Sequence, residues 1–288
     1  MTQNPPDDLI FSDPQPVDWD FPPTMETVRI DSHGDGMNGI VYISQGPGPH
    51  PTVIMLHGYP GNEKNLDLAQ AIRRAGWNAL FFHYRGAWGS GGAYSIDNAL
   101  EDVSAAYDFL RLPRTQRTCR VDGTRIALLG HSMGAYLALL AAPSLPDIRR
   151  IVAMSPSNLG REFAESRPEH REMFAEGLEA MGRDALRSAG DLQQYVRLAS
   201  EPARYDMVER AAELDGRSLL FVTGTRDTDT PADYHCGPLI QRLRERGQAR
   251  VTVASLEADH VFSTARIALA RVVTRWLAEA SADQGKEA

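Results

Sequence analysis

The chain has few cysteines and no long apolar run. Only two cysteines occur in 288 residues, Cys119 and Cys236. Two isolated cysteines are too few for a disulfide framework or a zinc site, so we expect ordinary structural thiols and no metal. No segment approaches the roughly 18 consecutive apolar residues that a membrane-spanning helix needs. The first residues also lack the basic start and apolar stretch of a secretory signal, so we expect a cytoplasmic protein.

Basic residues are also in deficit. The chain has 30 Lys and Arg against 38 Asp and Glu, which gives a formal net charge of -8. Because a nucleic acid or an anionic membrane would call for a clustered basic face, we expect neither as a partner. A small neutral or cationic substrate fits this charge better, and a homodimer is compatible with it. Apolar residues make up 42% of the chain, which is ordinary for a globular protein with a sizeable core.

The two ends of the chain have little apolar content. Residues 1–24 are rich in proline and aspartate. This composition predicts an extended arm, with Trp19 and Phe21 as the aromatic side chains that could anchor it. Residues 281–288 are predicted to form a flexible tail.

From residue 25 onward, strand-like runs appear. Runs 25–31 and 38–44 flank a turn-rich segment and predict a hairpin. The later runs are continuously apolar and alternate with helical patterns, which is typical of a mostly parallel sheet buried on both faces. The predicted strands are 52–57, 78–83, 124–130, 149–154, 217–223 and 250–256, and the predicted helices are 64–75, 97–111, 133–142, 232–246 and 263–279. Connections of this length predict a doubly wound α/β core over residues 25–156 and 211–280.

The alternation stops at Ser155 and resumes at Arg217. The intervening stretch shows only helical patterns, with apolar residues at helical spacing. We therefore interpret residues 157–210 as a helical cap inserted into the sheet domain. Two ordinary crossover helices on the sheet face are the alternative, because a stripe of methionine and aromatic residues also occurs in cores.

A glycine-flanked serine lies between predicted strand 124–130 and predicted helix 133–142. The segment Gly130-His-Ser-Met-Gly134 has the form of a nucleophile elbow, in which a sharp turn exposes a serine Oγ for attack on an acyl carbonyl. The glycines fit this turn because side chains at their positions would collide across it. The motif is weak by itself, since a chance match is expected in roughly one chain in ten of this length.

A serine hydroxyl needs a base within hydrogen-bond reach and a third group that orients the base. Where the serine lies on a nucleophile elbow, the acid and then the histidine follow it in the chain. Three histidines follow Ser132, namely His170, His235 and His260. His170 lies in the cap, and His235 lies inside a predicted helix. His260 follows strand 250–256 at the carboxyl end, where open α/β sheets bind their ligands. We predict His260 as the base and keep His235 as the alternative.

The candidate acids follow predicted strand 217–223. Asp227 is the first carboxylate after this strand, and Asp229 follows two residues later. Asp233 falls in the first turn of a predicted helix, where a carboxylate offsets the helix dipole. We predict Asp227 as the acid, with Asp229 as the alternative.

An oxyanion needs preorganised N–H donors, one from the residue after the nucleophile and one from the loop after an earlier strand. Met133 supplies the first. The segment His57-Gly-Tyr-Pro-Gly61 ends an apolar strand and should supply the second. Because Pro60 has no N–H and favours an extended backbone at Tyr59, we predict the Tyr59 amide as this donor. An ordinary glycine-proline turn is the alternative.

Four residues are predicted to contact the substrate: Tyr59, His131, Trp88 and Tyr195. Trp88 lies in the glycine-rich run 86–92, which matches neither a dinucleotide loop nor a P-loop and predicts a turn near the rim of the site. A packing role for Trp88 is the alternative.

Five segments of this chain, in the same order, resemble those of α/β-hydrolases. They are His57-Gly-Tyr-Pro-Gly61, Tyr84-Arg-Gly-Ala-Trp-Gly-Ser-Gly91, Gly130-His-Ser-Met-Gly134, Gly224-Thr-Arg-Asp227 with Pro231, and Asp259-His260. The resemblance covers about residues 25–280 and is to dienelactone-hydrolase-like esterases and the catalytic domains of prolyl-oligopeptidase-type enzymes. It implies the α/β-hydrolase fold and a Ser-His-Asp triad. The oxyanion loop departs from the HGGG form of some lipases, and we expect no propeller of the kind that full prolyl oligopeptidases carry.

These observations predict a serine hydrolase that cleaves carboxylic esters of small to medium acyl substrates through an acyl-enzyme, with no cofactor. An aminopeptidase or amidase would use the same triad, as would an acyl thioesterase or acyltransferase. A catalytically silent binding module on the same fold is disfavoured, because such a module would normally have lost part of the triad.

Overall fold

A computed structural model describes residues 12–13, 15–187 and 193–284. Its framework is an eight-stranded sheet with the strand order β1-β2-β4-β3-β5-β6-β7-β8. The strands are β1 (Thr24–Ser32), β2 (Asp35–Ile43), β3 (His50–Leu56), β4 (Asn78–Phe82), β5 (Val121–His131), β6 (Arg150–Met154), β7 (Ser218–Gly224) and β8 (Arg250–Leu256). The helices of these residues are α1 (Leu66–Arg74), α2 (Ile96–Arg111), α3 (Pro113–Thr118), α4 (Met133–Ala141), α5 (Leu159–Glu165), α6 (Pro168–Gly182), α7 (Gln193–Ser200), α8 (Pro202–Tyr205), α9 (Ala232–His235), α10 (Gly237–Arg246) and α11 (Arg266–Gln284).

The sheet is mostly parallel, as the sequence predicts. Strands β3 to β8 pair in parallel, whereas the hairpin β1–β2 is antiparallel and β2 pairs antiparallel with β4. Nearly every residue of β3, β4, β6 and β7 is buried, which explains their continuously apolar sequences. Strand β8 is at the edge of the sheet, and its side chains are exposed or half-buried.

Helices cover both faces of the sheet. Neighbouring residues of a strand point to opposite faces, so Leu128 belongs to the core under α2 and α4, whereas Leu129 belongs to the core under α1 and α11. The predicted doubly wound α/β fold is confirmed.

Some local predictions need correction. The predicted helix 232–246 is divided into α9 and α10 at Cys236, because Pro238 cannot donate to the preceding turn and fits only at the start of a helix. The described part of the arm is not anchored by its aromatic residues, since Trp19 is 81% exposed. Polar contacts hold it instead: the Asp18 amide donates to the Gln45 side chain, and Arg120 donates to the Pro22 carbonyl.

The long connection between β6 and β7 contains α5, α6, α7 and α8 within its described residues. Helices α5 and α8 approach closely at Gly160, where a Cβ atom would overlap the backbone of Tyr205. The side chain of Asn158 accepts a hydrogen bond from the Arg161 amide at the start of α5 and donates to Asp206 beyond α8. The two ends of this helical segment are thus joined beside the end of β6.

Candidate active site

Ser132 lies at the turn from β5 to α4. Its backbone has φ 57° and ψ -121°, a conformation that costs energy for any residue with a side chain. A Cβ atom on Gly130 would overlap the backbone of Gly134, and one on Gly134 would overlap the Leu56 carbonyl of β3. The turn therefore requires glycine at both positions, and it holds Ser132 at the carboxyl end of the central strand.

Asp227 and His260 meet at the ends of β7 and β8. The Nδ1 atom of His260 lies 3.0 Å from Oδ2 and 3.1 Å from Oδ1 of Asp227, so the ring N–H donates to the carboxylate. The Asp227 side chain is only 2% exposed. Backbone amides of Asp229 and Thr230 donate to its Oδ1 atom at 3.0 and 2.9 Å. Burial raises the pKa of Asp227, but the hydrogen bonds from His260 and Thr230 outweigh it and hold the pKa well below its usual range.

Ser132 and His260 line one cavity of about 320 Å³ at the carboxyl ends of the parallel strands. Tyr59 and Met133, the two residues predicted to donate to an oxyanion, line the same cavity. Its outer wall comes from α5 and α6, which contribute the apolar side chains Leu159, Phe174, Leu178 and Met181. The structure thus brings together all five residues predicted to carry the chemistry, Ser132, Asp227, His260, Tyr59 and Met133.

The loop after β3 lies against the serine. A Cβ atom on Gly58 would be 3.0 Å from Cβ and 3.6 Å from Oγ of Ser132. Three contacts hold this loop: the Tyr84 hydroxyl donates to the His57 carbonyl, the Trp88 indole donates to the Pro60 carbonyl, and the His57 ring donates to the Gly58 carbonyl.

The Tyr59 side chain also connects this loop to the helical wall. Its hydroxyl donates to the Leu178 carbonyl of α6 at 2.6 Å. The contact is tight, because a Cβ atom on Gly182 of α6 would overlap the Tyr59 hydroxyl. The loop after β3 therefore approaches Ser132 at Gly58 and contacts the outer wall through the Tyr59 side chain.

Two of the predicted substrate contacts lie elsewhere. His131 is 3% exposed, does not line the cavity, and donates from Nε2 to the His260 carbonyl at 2.8 Å. Burial lowers the pKa of His131 to about 4, so its ring is neutral near pH 7. Trp88 also lies outside the cavity lining and stacks on His83, with Lys64 above its ring. The side chain of Tyr195 lies outside the described part of the structure.

The alternative base and acid are placed away from the pair. His235 is buried in α9, and its Nδ1 atom accepts the Asn158 amide at 3.0 Å, so it supports the start of α5. Burial lowers the pKa of His235 to about 4. His170 is exposed on α6. Asp229 is exposed at the rim of the cavity, and only its amide contacts Asp227.

Sequence reasoning missed two side chains of this site. The Thr230 hydroxyl lies 2.9 Å from Asp227 Oδ2 and 3.2 Å from His260 Nδ1, so it can donate to the carboxylate and accept from the ring. The signal was available, because an aspartate after a strand commonly accepts hydrogen bonds from amides of the following turn. Glu162 of α5 lines the cavity, and nothing in the local sequence marks it.

The described residues contain no group of three or more histidine, cysteine or acidic side chains that could hold a metal ion. No helix in the described ranges has both the length and the apolar character to cross a membrane.

Comparison with known proteins places the chain in a family. The model of the alpha/beta hydrolase family matches residues 53–286. Thiohydrolase apmlB of Arthrinium phaeospermum is 30% identical over 133 residues, which cover 44% of this chain and 41% of that protein. Cutinase 1 of Thermobifida cellulosilytica is 26% identical over 139 residues, which cover 47% of this chain and 50% of that protein. The matches thus span half or less of these relatives.

A solved structure shows the same fold. Est1E from Butyrivibrio proteoclasticus has a TM-score of 0.67 at 15% sequence identity, and the alignment covers 89% of this chain and 99% of that one. The family match extends over most of the strands and helices described above. The chain belongs to the α/β-hydrolase family.

Proposed function

We propose that this protein is a serine hydrolase that cleaves carboxylic esters of small to medium acyl substrates. The observation that carries the proposal is the pairing of buried Asp227 with His260, whose ring lines one cavity together with a serine on a strained strand-to-helix turn. A depressed carboxyl pKa keeps Asp227 ionised, so it can hold His260 with its proton on Nδ1. The opposite ring nitrogen, Nε2, is then the atom that accepts a proton.

The reaction follows from these positions. Ser132 Oγ attacks the substrate carbonyl while His260 Nε2 takes its proton, and Asp227 stabilises the imidazolium that forms. His260 returns the proton to the leaving alcohol, which leaves an acyl-enzyme on Ser132. A water molecule, deprotonated by His260, then attacks the acyl group and releases the acid and the free serine.

The oxyanion is bound by the amides of Met133 and Tyr59. Met133 is the first residue of α4, and the first amides of a helix have no acceptor within the helix. The positive end of the helix dipole adds to this stabilisation. The close approach of Gly58 to Ser132 supports the second donor, because it brings residue 59 to the same side of the nucleophile.

The outer wall sets the substrate size. The cavity of about 320 Å³ is at the small end of the range for ligand sites, roughly 300–1,000 Å³, and most of its wall is apolar. This favours small to medium acyl groups. We assign residues 157–210 as a cap over a hydrolase core of residues 25–156 and 211–280, since α5 and α6 supply that wall.

An acyl thioesterase is the second candidate. It is favoured by the 30% identity to a protein named thiohydrolase. The same serine and histidine would serve, because only the leaving group differs. Rates on an ester, a thioester and an anilide with the same acyl chain separate the ester, thioester and amidase activities.

The test is loss of the nucleophile. Ser132→Ala should abolish turnover of p-nitrophenyl butyrate and labelling by a fluorophosphonate, with an unchanged circular dichroism spectrum. Ser200→Ala, an exposed serine on α7, is the matched control and should retain both. Full activity in Ser132→Ala would overturn the proposal.

A further inference from the structure

The cavity carries negative charge that the proposed reaction does not use. Besides Ser132 and His260, its lining includes the carboxylates of Glu162 on α5 and Asp229 at the rim. No arginine or lysine of the described residues lines it. Asp227, beneath the cavity, has a pKa held below its usual range and adds a further negative charge. A cleft lined by one sign of charge concentrates ligands of the opposite sign.

Glu162 has no compensating partner within the described structure. Its side chain receives no hydrogen bond or ion pair from the described residues. The neighbouring cation, Arg161, pairs with Glu165 at 2.9 Å and lies over the Tyr234 ring. Burial raises the pKa of Glu162, and no nearby cation among these residues offsets this shift. A carboxylate in such a position is stabilised when a ligand brings a positive charge.

Aromatic rings surround the same space. Tyr59, Tyr94 and Phe174 all line the cavity, and the rings of Tyr59 and Tyr94 lie 5.7 Å apart. Aromatic faces attract cations through their quadrupole, and a carboxylate beside them adds an ion pair. A purely aliphatic substrate would use the rings but would leave the half-buried Glu162 charge without a partner among the described residues.

We propose, resting on the hydrolase function proposed above, that the substrate carries an ammonium group that Glu162 binds inside the cavity while the ester carbonyl meets Ser132. Asp229, exposed at the mouth, attracts the same cation from solution and contributes less, because its charge is screened. Glu162 is thus a specificity-determining residue, and it takes no part in bond making.

Matched pairs of esters test this inference. On the acyl side, p-nitrophenyl 6-aminohexanoate is compared with p-nitrophenyl heptanoate, in which a methyl group replaces the ammonium. On the alcohol side, butyrylcholine is compared with 3,3-dimethylbutyl butyrate. In one of the two pairs the cationic ester should have a kcat/KM about 10-fold or more above that of its neutral partner, as expected for a hydrogen bond or ion pair with a charged group.

The variants assign the effect to one side chain. Glu162→Gln should bring that ratio close to one, chiefly by raising KM for the cationic ester. Glu169→Gln removes the same charge from an exposed position of α6 outside the cavity and should leave the ratio as in the wild type. Asp229→Asn should lower the ratio only partly.

Two results would overturn the inference: ratios near one in both pairs of the wild type, or a cationic preference that survives Glu162→Gln. These outcomes differ from failure of the hydrolase proposal, in which no neutral ester is hydrolysed and no fluorophosphonate label attaches to Ser132.

Discussion

Two carboxylates of the same site have opposite surroundings. Asp227, in the loop after β7, receives hydrogen bonds from the His260 ring, from two backbone amides and from a hydroxyl, and its pKa is lowered. Glu162, on α5 in the helical wall, receives none from the described residues, and burial raises its pKa. The Asp227 carboxylate is thus hydrogen-bonded within the protein, whereas the Glu162 carboxylate is the one that we propose a ligand's positive charge neutralises.

The neighbourhoods of these residues differ in the same way. The loops after β3, β5, β7 and β8 are joined by hydrogen bonds and by close backbone contacts at glycine. The wall exposes apolar side chains, with Met173 and Met181 of α6 65% and 60% exposed. We infer that the chemistry resides in the hydrogen-bonded loops at the carboxyl ends of the strands, and that the helical segment determines which substrate reaches them.

The largest effect should come from Asp227. Asp227→Asn removes the charge that holds the His260 proton on Nδ1, so kcat for p-nitrophenyl butyrate should fall by roughly 1,000- to 10,000-fold. Asp229→Asn removes a charge two residues away and should change kcat for this neutral ester less than about 3-fold, since surface charges interact weakly. Equal losses in both variants would show that the two aspartates share the role.

Buried histidines should make stability depend on pH. Burial lowers the pKa of His57, His131 and His235 to about 4. The unfolded chain protonates its histidines near pH 6.5, so between pH 6.5 and 4 it binds more protons, and stability falls as the pH decreases. Asp227 adds a further loss of stability only at a pH below the pKa that its carboxyl group has in the unfolded chain, near 3.8.

Thermal unfolding checks this expectation. Each such histidine contributes at most about 1.4 kcal/mol per pH unit in that window, and we expect a total loss of about 2 kcal/mol or more between pH 7 and pH 5. His131→Gln should flatten the dependence of Tm on pH, whereas His170→Gln, at an exposed position, should not. A Tm that is constant from pH 7 to pH 5 would contradict the buried neutral state of these rings.

Loss of the hydrogen bond between the Tyr59 hydroxyl and α6 should have a smaller effect on activity. Tyr59→Phe removes the hydrogen bond to the Leu178 carbonyl and leaves the backbone amide of residue 59, the proposed oxyanion donor, in place. We expect a loss of about 1 kcal/mol in the docking of α6, seen as a KM several-fold higher with kcat changed less than 3-fold. A large fall in kcat with unchanged KM would show that the hydroxyl positions the oxyanion loop and not the wall.

The two carboxylates should also affect stability with opposite signs. Because the folded state raises the pKa of Glu162, its charge destabilises the fold above about pH 4.5. Glu162→Gln should therefore raise Tm slightly at pH 7, which corresponds to a gain of less than about 1 kcal/mol in the free energy of unfolding. Asp227→Asn should lower Tm, because the folded state lowers that pKa. A decrease in Tm for Glu162→Gln at pH 7 would indicate a stabilising partner for this side chain.

The sheet and its strand-end residues could be predicted from the sequence because both depend on short segments. Continuous apolar runs indicate buried strands, and polar residues directly after them must gather at one edge of a parallel sheet, as Ser132, Asp227 and His260 do. The pairing of His131 with the His260 carbonyl and the position of Glu162 depend on contacts between distant segments. A local pattern cannot specify such contacts. For the same reason the sequence predicts Trp88 at the substrate, whereas in the structure its indole donates to the Pro60 carbonyl and its ring stacks on His83.

The nucleophile is the central claim, and covalent labelling tests it most directly. After incubation with a fluorophosphonate, peptide mapping of the wild-type protein should place one adduct on Ser132, formed much more slowly in Asp227→Asn and absent in Ser132→Ala. An adduct on another residue, or a properly folded protein that hydrolyses esters without labelling at Ser132, would contradict the account.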